Sequence, residues 1–335
     1  MMDKCFCVGI RGSVSELKAI LDDSSSQYIK EVFVGGPPDI GNSGRFKTYP
    51  TDMETLSKMV EMAHDRGIDV DVVLNCSCIG KNDVDKDYMD KFRVFVGELE
   101  KIKMDWITVS HPALIKTIVD CRKDLKVNVS LYADVTHPLV AKEFQMMGAD
   151  RITLPQTVNR NLKLIRRIKE YIDIELELFV NSKCLNSGFC PYSIAHRNFK
   201  SHQKILTPDL WDSFADPYTS FCDCRRKESP IDLVFTPTIR PEDIHLYEDI
   251  GIRLFKIATR QDTPERVIEL VGSYGSRHYD GPFGGLWTVS RNMDTLHNRE
   301  LDGLFEKVKD MDEEHQFEYY KGFINNLCSQ VHADR

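Results

Sequence analysis

Eight short β-rich runs separated by amphipathic stretches constrain this chain more than any other feature. They are Cys5–Ile10, Glu31–Gly35, Asp69–Leu74, Trp106–Val109, Lys126–Leu131, Arg151–Leu154, Glu175–Val180 and Arg253–Ala258. Between them, apolar residues recur every three or four positions: Leu56, Met59, Val60 and Ala63; Tyr88, Phe92, Val96 and Leu99; Leu162, Ile165 and Ile168; Val267, Leu270 and Val271. Each set would bury one face of a helix. Strand–helix alternation repeated eight times predicts parallel strands joined by right-handed crossovers. The expected fold class is therefore α/β, a (β/α)8 TIM-barrel-like domain, regular or distorted. A doubly wound open sheet is the alternative, but Gly9-Ile-Arg-Gly12 after the first run is not the G-x-G-x-x-G phosphate turn, and no Walker A pattern occurs.

With 335 residues, one barrel with extensions accounts for the length. The expected organisation is a barrel over residues 1–275, interrupted by a cysteine-rich insertion at 184–230, and a C-terminal segment at 276–335. Asp232-Leu-Val-Phe-Thr236 reads as a ninth strand or an extended loop, taken as part of the long insertion, ahead of a helical run at Pro241–Ile250. Past about residue 275 the alternation stops. Gly281-Pro-Phe-Gly-Gly-Leu-Trp287 then opens a helical extension, with helices expected at Arg299–Lys309 and Glu313–Cys328, that reads as a cap or a surface for a protein partner.

Charged residues make up 29% of the chain and hydrophobic ones 41%, with no apolar run long enough to cross a bilayer and no secretion-signal pattern at Met1. The expectation is a cytoplasmic protein with no membrane partner. A net charge of −8 argues against a chain-wide electrostatic grip on nucleic acid and leaves only a local basic groove for an RNA base. Ten cysteines in a chain of this length do not make a disulfide scaffold, so the thiols are expected to be reduced. Cys121 and Cys328, within helical runs, read as small buried apolar residues, and Cys5 and Cys7 share one side of the first strand.

In a parallel barrel, function collects where strands end and βα loops begin. Those ends carry Asn75-Cys76-Ser77-Cys78, Ser110-His111, Tyr132-Ala133-Asp134, Pro155-Gln156, Asn181-Ser182-Lys183-Cys184 and Thr259-Arg260. Helix capping accounts for Ser110, Asp134 and Asn159. It accounts poorly for Gln156, His111 and the cysteines. His111 is a candidate for proton transfer, with capping as its bland alternative. Asn75, Asn181 and Lys256 are candidate substrate contacts, and Arg260, at a strand end, is the preferred group for a carboxylate or phosphate. Arg225-Arg-Lys227 is either a solvated basic run or a phosphate contact. Cys184, Cys190, Cys222 and Cys224 are candidate metal ligands. Thiolate suits iron–sulfur clusters and zinc alike, and spacing alone does not select between them. Cys76 or Cys78 is an alternative source of the fourth ligand.

The run Glu175-Leu-Glu-Leu-Phe-Val-Asn-Ser-Lys-Cys184, followed by Ser187-Gly-Phe-Cys190, Ser193 and Cys222-Asp-Cys-Arg225, resembles the signature region of the collagenase-like peptidase family, the U-32 family. Leu254-Phe-Lys-Ile257 resembles that family's V-K-I-E-G-R strand, which extends the similarity over roughly residues 5–275. Three departures stand out. Cys184 and Cys190 are one residue closer than in the common pattern, the last pair is C-x-C, and Ile257-Ala-Thr-Arg260 replaces E-G-R. The resemblance implies a [4Fe–4S] cluster on Cys184, Cys190, Cys222 and Cys224. It also implies oxygen-independent hydroxylation, with prephenate as oxygen donor in several members, or related chemistry on a small aromatic, a nucleobase or a specialised metabolite. Zinc remains the alternative metal. Peptidase activity and a cluster-bearing accessory subunit remain the alternative functions, although no H-E-x-x-H or G-x-S-x-G motif supports proteolysis.

Overall fold

A computed structural model describes residues 4–37, 40, 51–184, 190–201, 218, 222, 224, 231–287 and 296–333. Eight parallel strands close into a barrel in sequence order: β1 (Phe6–Gly9), β2 (Ile29–Gly35), β3 (Asp69–Leu74), β4 (Trp106–Val109), β5 (Lys126–Val129), β6 (Arg151–Leu154), β7 (Glu175–Phe179) and β8 (Leu254–Ile257). The seam is closed by pairing of β1 with β8, Phe6 opposite Phe255 and Cys7 opposite Lys256. Every β-rich run of the sequence became a strand of this barrel.

The helices around it are α1 (Val14–Asp22), α2 (Met53–His64), α3 (Lys86–Lys101), α4 (Pro112–Cys121), α5 (Pro138–Met146), α6 (Leu162–Tyr171), α7 (Ser193–Ser201), α8 (Ile231–Val234), α9 (Ile244–Glu248), α10 (Pro264–Gly275), α11 (Leu304–Val308) and α12 (Glu313–Ala333). Their starts follow from capping chemistry. Side chains of Ser13, Asp52, Asp85 and Asn161 accept backbone N–H bonds at the first turns of α1, α2, α3 and α6. His111 and His137, each followed by a proline, do the same for α4 and α5. The buried faces of α2, α6 and α10 are the ones their periodicity predicts: Leu56, Met59, Val60 and Ala63; Leu162, Ile165 and Ile168; Val267, Leu270 and Val271.

Alternate strand residues face outward into the layer between barrel and helices, among them Val32, Val34, Val70, Val72, Ile107, Val109, Val127, Ile152, Leu176 and Phe255. The inward positions are different in kind. Beyond a small apolar cluster of Cys7, Phe33, Val73 and Leu254, they carry Glu31, Asp71, Thr108, Asn128, Arg151, Thr153, Glu177 and Lys256, all buried. Asn128 Nδ2 donates to Thr108 Oγ1 and to Thr153 Oγ1, both at 3.0 Å. Thr108 Oγ1 donates to Asp71 Oδ2 at 2.6 Å, and Thr153 Oγ1 to Glu177 Oε2. Lys256 Nζ closes the ring at 3.3 Å from Glu177 and 3.7 Å from Asp71. Nearer the bottom, Arg151 lies between Glu31 at 2.7 Å and Glu175 at 2.8 Å, with its guanidinium 3.6 Å from the Trp106 ring centroid. Burial pushes the Glu31 carboxyl up to about 7, only partly offset by Arg151. Burial also pushes up the Glu177 carboxyl, but Lys256 and Arg151 outweigh it and hold Glu177 below its ordinary value.

Several expectations need correction. Asp232–Thr236 is not extended: residues 231–234 form α8, because the return from the insertion packs Leu233 and Val234 into the core as a helical turn. Cys121 is exposed at the end of α4, its thiol turned back to the Thr117 carbonyl, since the buried stripe of that helix runs through Leu114, Ile115 and Ile118 instead. Asn159 closes the 3-10 turn Gln156–Val158 with its backbone N–H, but its side chain does not cap a helix. It is fully buried and ties the Phe179 and Pro237 carbonyls together at 2.8 and 2.7 Å. Ser187, Arg225, Arg226, Lys227 and the side chain of Cys328 lie outside the described residues.

The segment after residue 275 is part of the same core, contributing Phe283, Leu286, Trp287, Leu301, Phe305, Tyr320 and Ile324. Trp287 Nε1 donates to Thr238 Oγ1 at 2.8 Å, Arg240 reaches the Asn298 carbonyl at 2.6 Å, and the Arg160 guanidinium lies 3.5 Å from the Phe305 ring centroid. Among the described residues no helix is long and apolar enough to cross a membrane.

Arg151→Met should lower the free energy of unfolding by about 3–5 kcal/mol, because it leaves the Glu31 carboxyl buried without its cation. Urea denaturation measures this, and adding Glu31→Gln should recover part of the loss. Equal losses in the single and double variants would assign the stabilisation to stacking on Trp106 instead.

Candidate functional site

The C-terminal ends of the strands form a rim in which polar side chains continue the ladder that the backbone has stopped making. At β3, Asn75 Nδ2 donates to Ser130 Oγ beyond β5 at 3.2 Å, while Ser110 Oγ beyond β4 donates to the Asn75 carbonyl at 2.9 Å. Beyond β7, Asn181 makes a two-way bond with Ala258, donating to its carbonyl at 3.1 Å and accepting from its N–H at 2.8 Å. A carboxamide can do this because it carries a donor and an acceptor side by side, as a peptide does. Thr259 Oγ1 then donates to the Gly9 carbonyl at 2.7 Å, so the rim crosses the seam between β8 and β1.

Each residue singled out in the sequence can now be placed. Asn75, His111, Gln156, Asn181, Cys184 and Arg260 follow strands β3, β4, β6, β7, β7 and β8, so the parallel topology brings them to one end of the barrel. Asn75 and Asn181 brace the rim. His111 accepts the Ala113 N–H at Nδ1, 3.3 Å away, and its Nε2 lies 3.9 Å from Asp83. Gln156 opens a half-buried 3-10 turn after β6. Lys256 is set apart from these, inside the barrel among Glu177 and Asp71. The Phe33 ring touches both levels, with Lys256 Nζ at 4.1 Å and the Arg260 guanidinium at 5.8 Å from its centroid.

Cys184 and Cys190 are half-buried, Cys222 is half-buried and Cys224 exposed. Cys190 leads into α7, whose Arg197 pairs with Asp134 beyond β5, so the chain after the thiols is anchored across the mouth. Asp134 holds that position in a left-handed backbone conformation, φ 54°. Cys76 is fully buried, and burial pushes its thiol up to about 12; Cys78 is exposed. A mononuclear zinc with bonds of about 2.3 Å requires sulfurs within roughly 4 Å of one another, whereas a four-iron cluster binds each thiolate on its own iron and tolerates a wider set. Among the described residues, the group of potential ligands that lie within 4.8 Å of one another is Cys7, Glu31 and Glu177, and the loop thiols are not in it.

Two features escaped the sequence reading. One is the charged interior, whose signal was present as charge at every second position of Asp69-Val-Asp-Val and Glu175-Leu-Glu-Leu, in strands that a barrel covers on both faces. The other is Gly9. A Cβ there would stand 2.8 Å from Phe33 Cζ, 2.9 Å from Arg260 Cγ and 3.0 Å from the Arg260 backbone nitrogen. The missing side chain is what lets Arg260 lean over the end of β1 toward the barrel axis.

Comparison with known proteins gives a consistent picture. Residues 12–203 match the family model described as Peptidase family U32. Over 305 residues the chain is 30% identical to "Uncharacterized protease MJ1657" of Methanocaldococcus jannaschii, covering 90% of this chain and 85% of the relative. The solved structure of the U32 peptidase Mk0906 superposes with a TM-score of 0.55 at 20% identity, covering 79% of this chain and 96% of that one, a likeness of fold.

Gly9→Ala should lower stability by about 1–3 kcal/mol, the usual cost of overpacking, because the Arg260 backbone nitrogen cannot rotate away. Gly97→Ala, in α3 with nothing within 4 Å of the added methyl, is the control and should be neutral or slightly stabilising in the same urea titration. Equal stability of Gly9→Ala and the unaltered chain would show that Arg260 does not pack over β1 as described.

Proposed function

Because the chain belongs to peptidase family U32, we propose that it is an iron–sulfur-dependent modification enzyme acting at the barrel mouth on a small aromatic, a nucleobase or a specialised metabolite. Oxygen-independent hydroxylation or a related reaction is the chemistry proposed. The observation that carries this reading is the position of Cys184 and Cys190: half-buried thiols on the chain leaving β7, at the end of the barrel where the other strand-end polar groups gather.

Cys184, Cys190, Cys222 and Cys224 would hold a [4Fe–4S] cluster, and soft, half-buried thiol donors fit that group. When bound, the cluster supplies one-electron chemistry beside the substrate. The chain's own residues have separate tasks. Arg260 is placed to hold an anionic substrate group by paired hydrogen bonds, which a guanidinium offers in a fixed plane. His111 presents Nε2 and Gln156 a carboxamide at the rim. Asn75 and Asn181 hold the rim that sets the spacing between these groups. The C-terminal segment, packed into the core, keeps the return chain at Thr238 and Arg240 in place.

Peptide hydrolysis, the activity in the family's name, is the second reading and is favoured by the name of the 30% identical relative. Anaerobic purification separates the two. Cys184→Ala or Cys190→Ala should abolish the brown colour and broad visible absorption, while Cys121→Ala, on the far end of α4, leaves both intact. Colourless protein from strictly anaerobic preparation that hydrolyses peptides would replace this proposal with the peptidase reading.

A further inference from the structure

We propose that the barrel interior holds a second metal centre, a structural divalent cation of the zinc class bound by Cys7 on β1, Glu31 on β2 and Glu177 on β7. The three side chains are fully buried, and Cys7 Sγ and a carboxylate oxygen from each glutamate lie within 4.8 Å of one another. They come from different strands: Cys7 is opposite Glu31 in the β1–β2 register, and Glu177 faces them across the seam made by β8.

Two observations point to a ligand there rather than to an acidic cluster alone. Each glutamate engages Oε2 with a cation, Glu31 with Arg151 and Glu177 with Lys256, yet Glu31 Oε1 is buried with no hydrogen-bond partner and Glu177 Oε1 has none beyond the weak donor of the Cys7 thiol. Asp71 Oδ1 in the same interior is also buried without a partner. A buried carboxylate oxygen left unsatisfied is strongly disfavoured, so native interiors fill such positions. The charge balance is the second observation. Glu31, Asp71 and Glu177 set three carboxylates against the two cations Arg151 and Lys256, and a divalent ion that enters in exchange for the Cys7 thiol proton would complete neutrality.

One sulfur and two carboxylate oxygens select a borderline cation such as zinc or cobalt over magnesium or calcium, which take oxygen alone. An ion held there would join the first two strands of the barrel to the seventh. Because the ligands have no solvent exposure, it would be loaded as the chain folds and would exchange slowly afterwards.

The test uses the full chain with Cys184, Cys190, Cys222 and Cys224 all changed to alanine, refolded from denaturant with cobalt(II). A single cobalt ion per chain with a thiolate-to-metal charge-transfer band is expected, resistant to chelator until the chain is unfolded. Adding Cys7→Ala should remove the band, and adding Glu31→Gln should weaken cobalt binding tenfold or more. As a second measurement that does not depend on the quadruple variant folding, elemental analysis of the unaltered chain should find zinc in addition to any cluster iron. Cys7→Ser should lose the zinc and keep whatever colour the loop cysteines confer. No bound cobalt and no zinc, or a band that survives Cys7→Ala, would overturn the proposal. A colourless protein that still holds the Cys7-dependent ion would overturn the cluster reading and leave this one standing.

Discussion

A ring of buried hydrogen bonds and ion pairs through the barrel axis is the constraint on which the rest of this molecule depends. Asn128 donates to two threonines, each threonine donates onward to a carboxylate, and Lys256 joins the two carboxylates, so six strands from β3 to β8 are tied through their interior faces. Most parallel barrels fill this space with branched aliphatics, which tolerate small shifts of register. A polar ring does not, because moving one strand by a residue would leave charged groups buried without partners. The interior therefore specifies strand order and register more sharply than an apolar filling of the same volume.

That rigidity is passed upward to the mouth. Asn75, Asn181 and Thr259 extend the strand-to-strand bonding past the last backbone pair, and Phe33 touches both Lys256 in the interior and Arg260 above it. Gly9 makes room for the arginine stem. The groups proposed to meet substrate and cofactor thus sit on a frame whose geometry is fixed from below, which is what a site needs if a bound molecule is to be held in one orientation. The C-terminal segment closes the other flank. Trp287 and Phe305 pack on the return of the insertion through Thr238, Arg240 and Arg160, so a chain that leaves the barrel for some fifty residues after β7 comes back to a defined place.

How much of this the residues disclosed varied with the kind of interaction. The strands and the buried faces of α2, α6 and α10 were legible because hydrophobic periodicity is local and the helices are long enough to show it. The strand-end positions of Asn75, His111, Gln156, Asn181 and Arg260 followed once a parallel barrel was inferred. Their tasks did not. His111 caps α4 through a bond to Ala113, the alternative that local sequence already offered, whereas Asn159 braces the carbonyls of Phe179 and Pro237, which only the fold brings near it. Lys256 was read as a candidate substrate contact because it puts a cation on the eighth strand, and strand alternation turns it inward onto Glu177 and Asp71.

The sequence by itself determined the barrel, its strand order and the end at which polar and thiol groups collect, since each rests on periodicity, chain polarity and the handedness of crossovers. Only the tertiary structure decided which polar groups meet. Glu31 and Arg151 are 120 residues apart and Glu177 and Lys256 79, and no local pattern specifies such pairs. Closure of the sheet brings them within hydrogen-bonding distance, and the exclusion of water from that space is what makes the pairing obligatory.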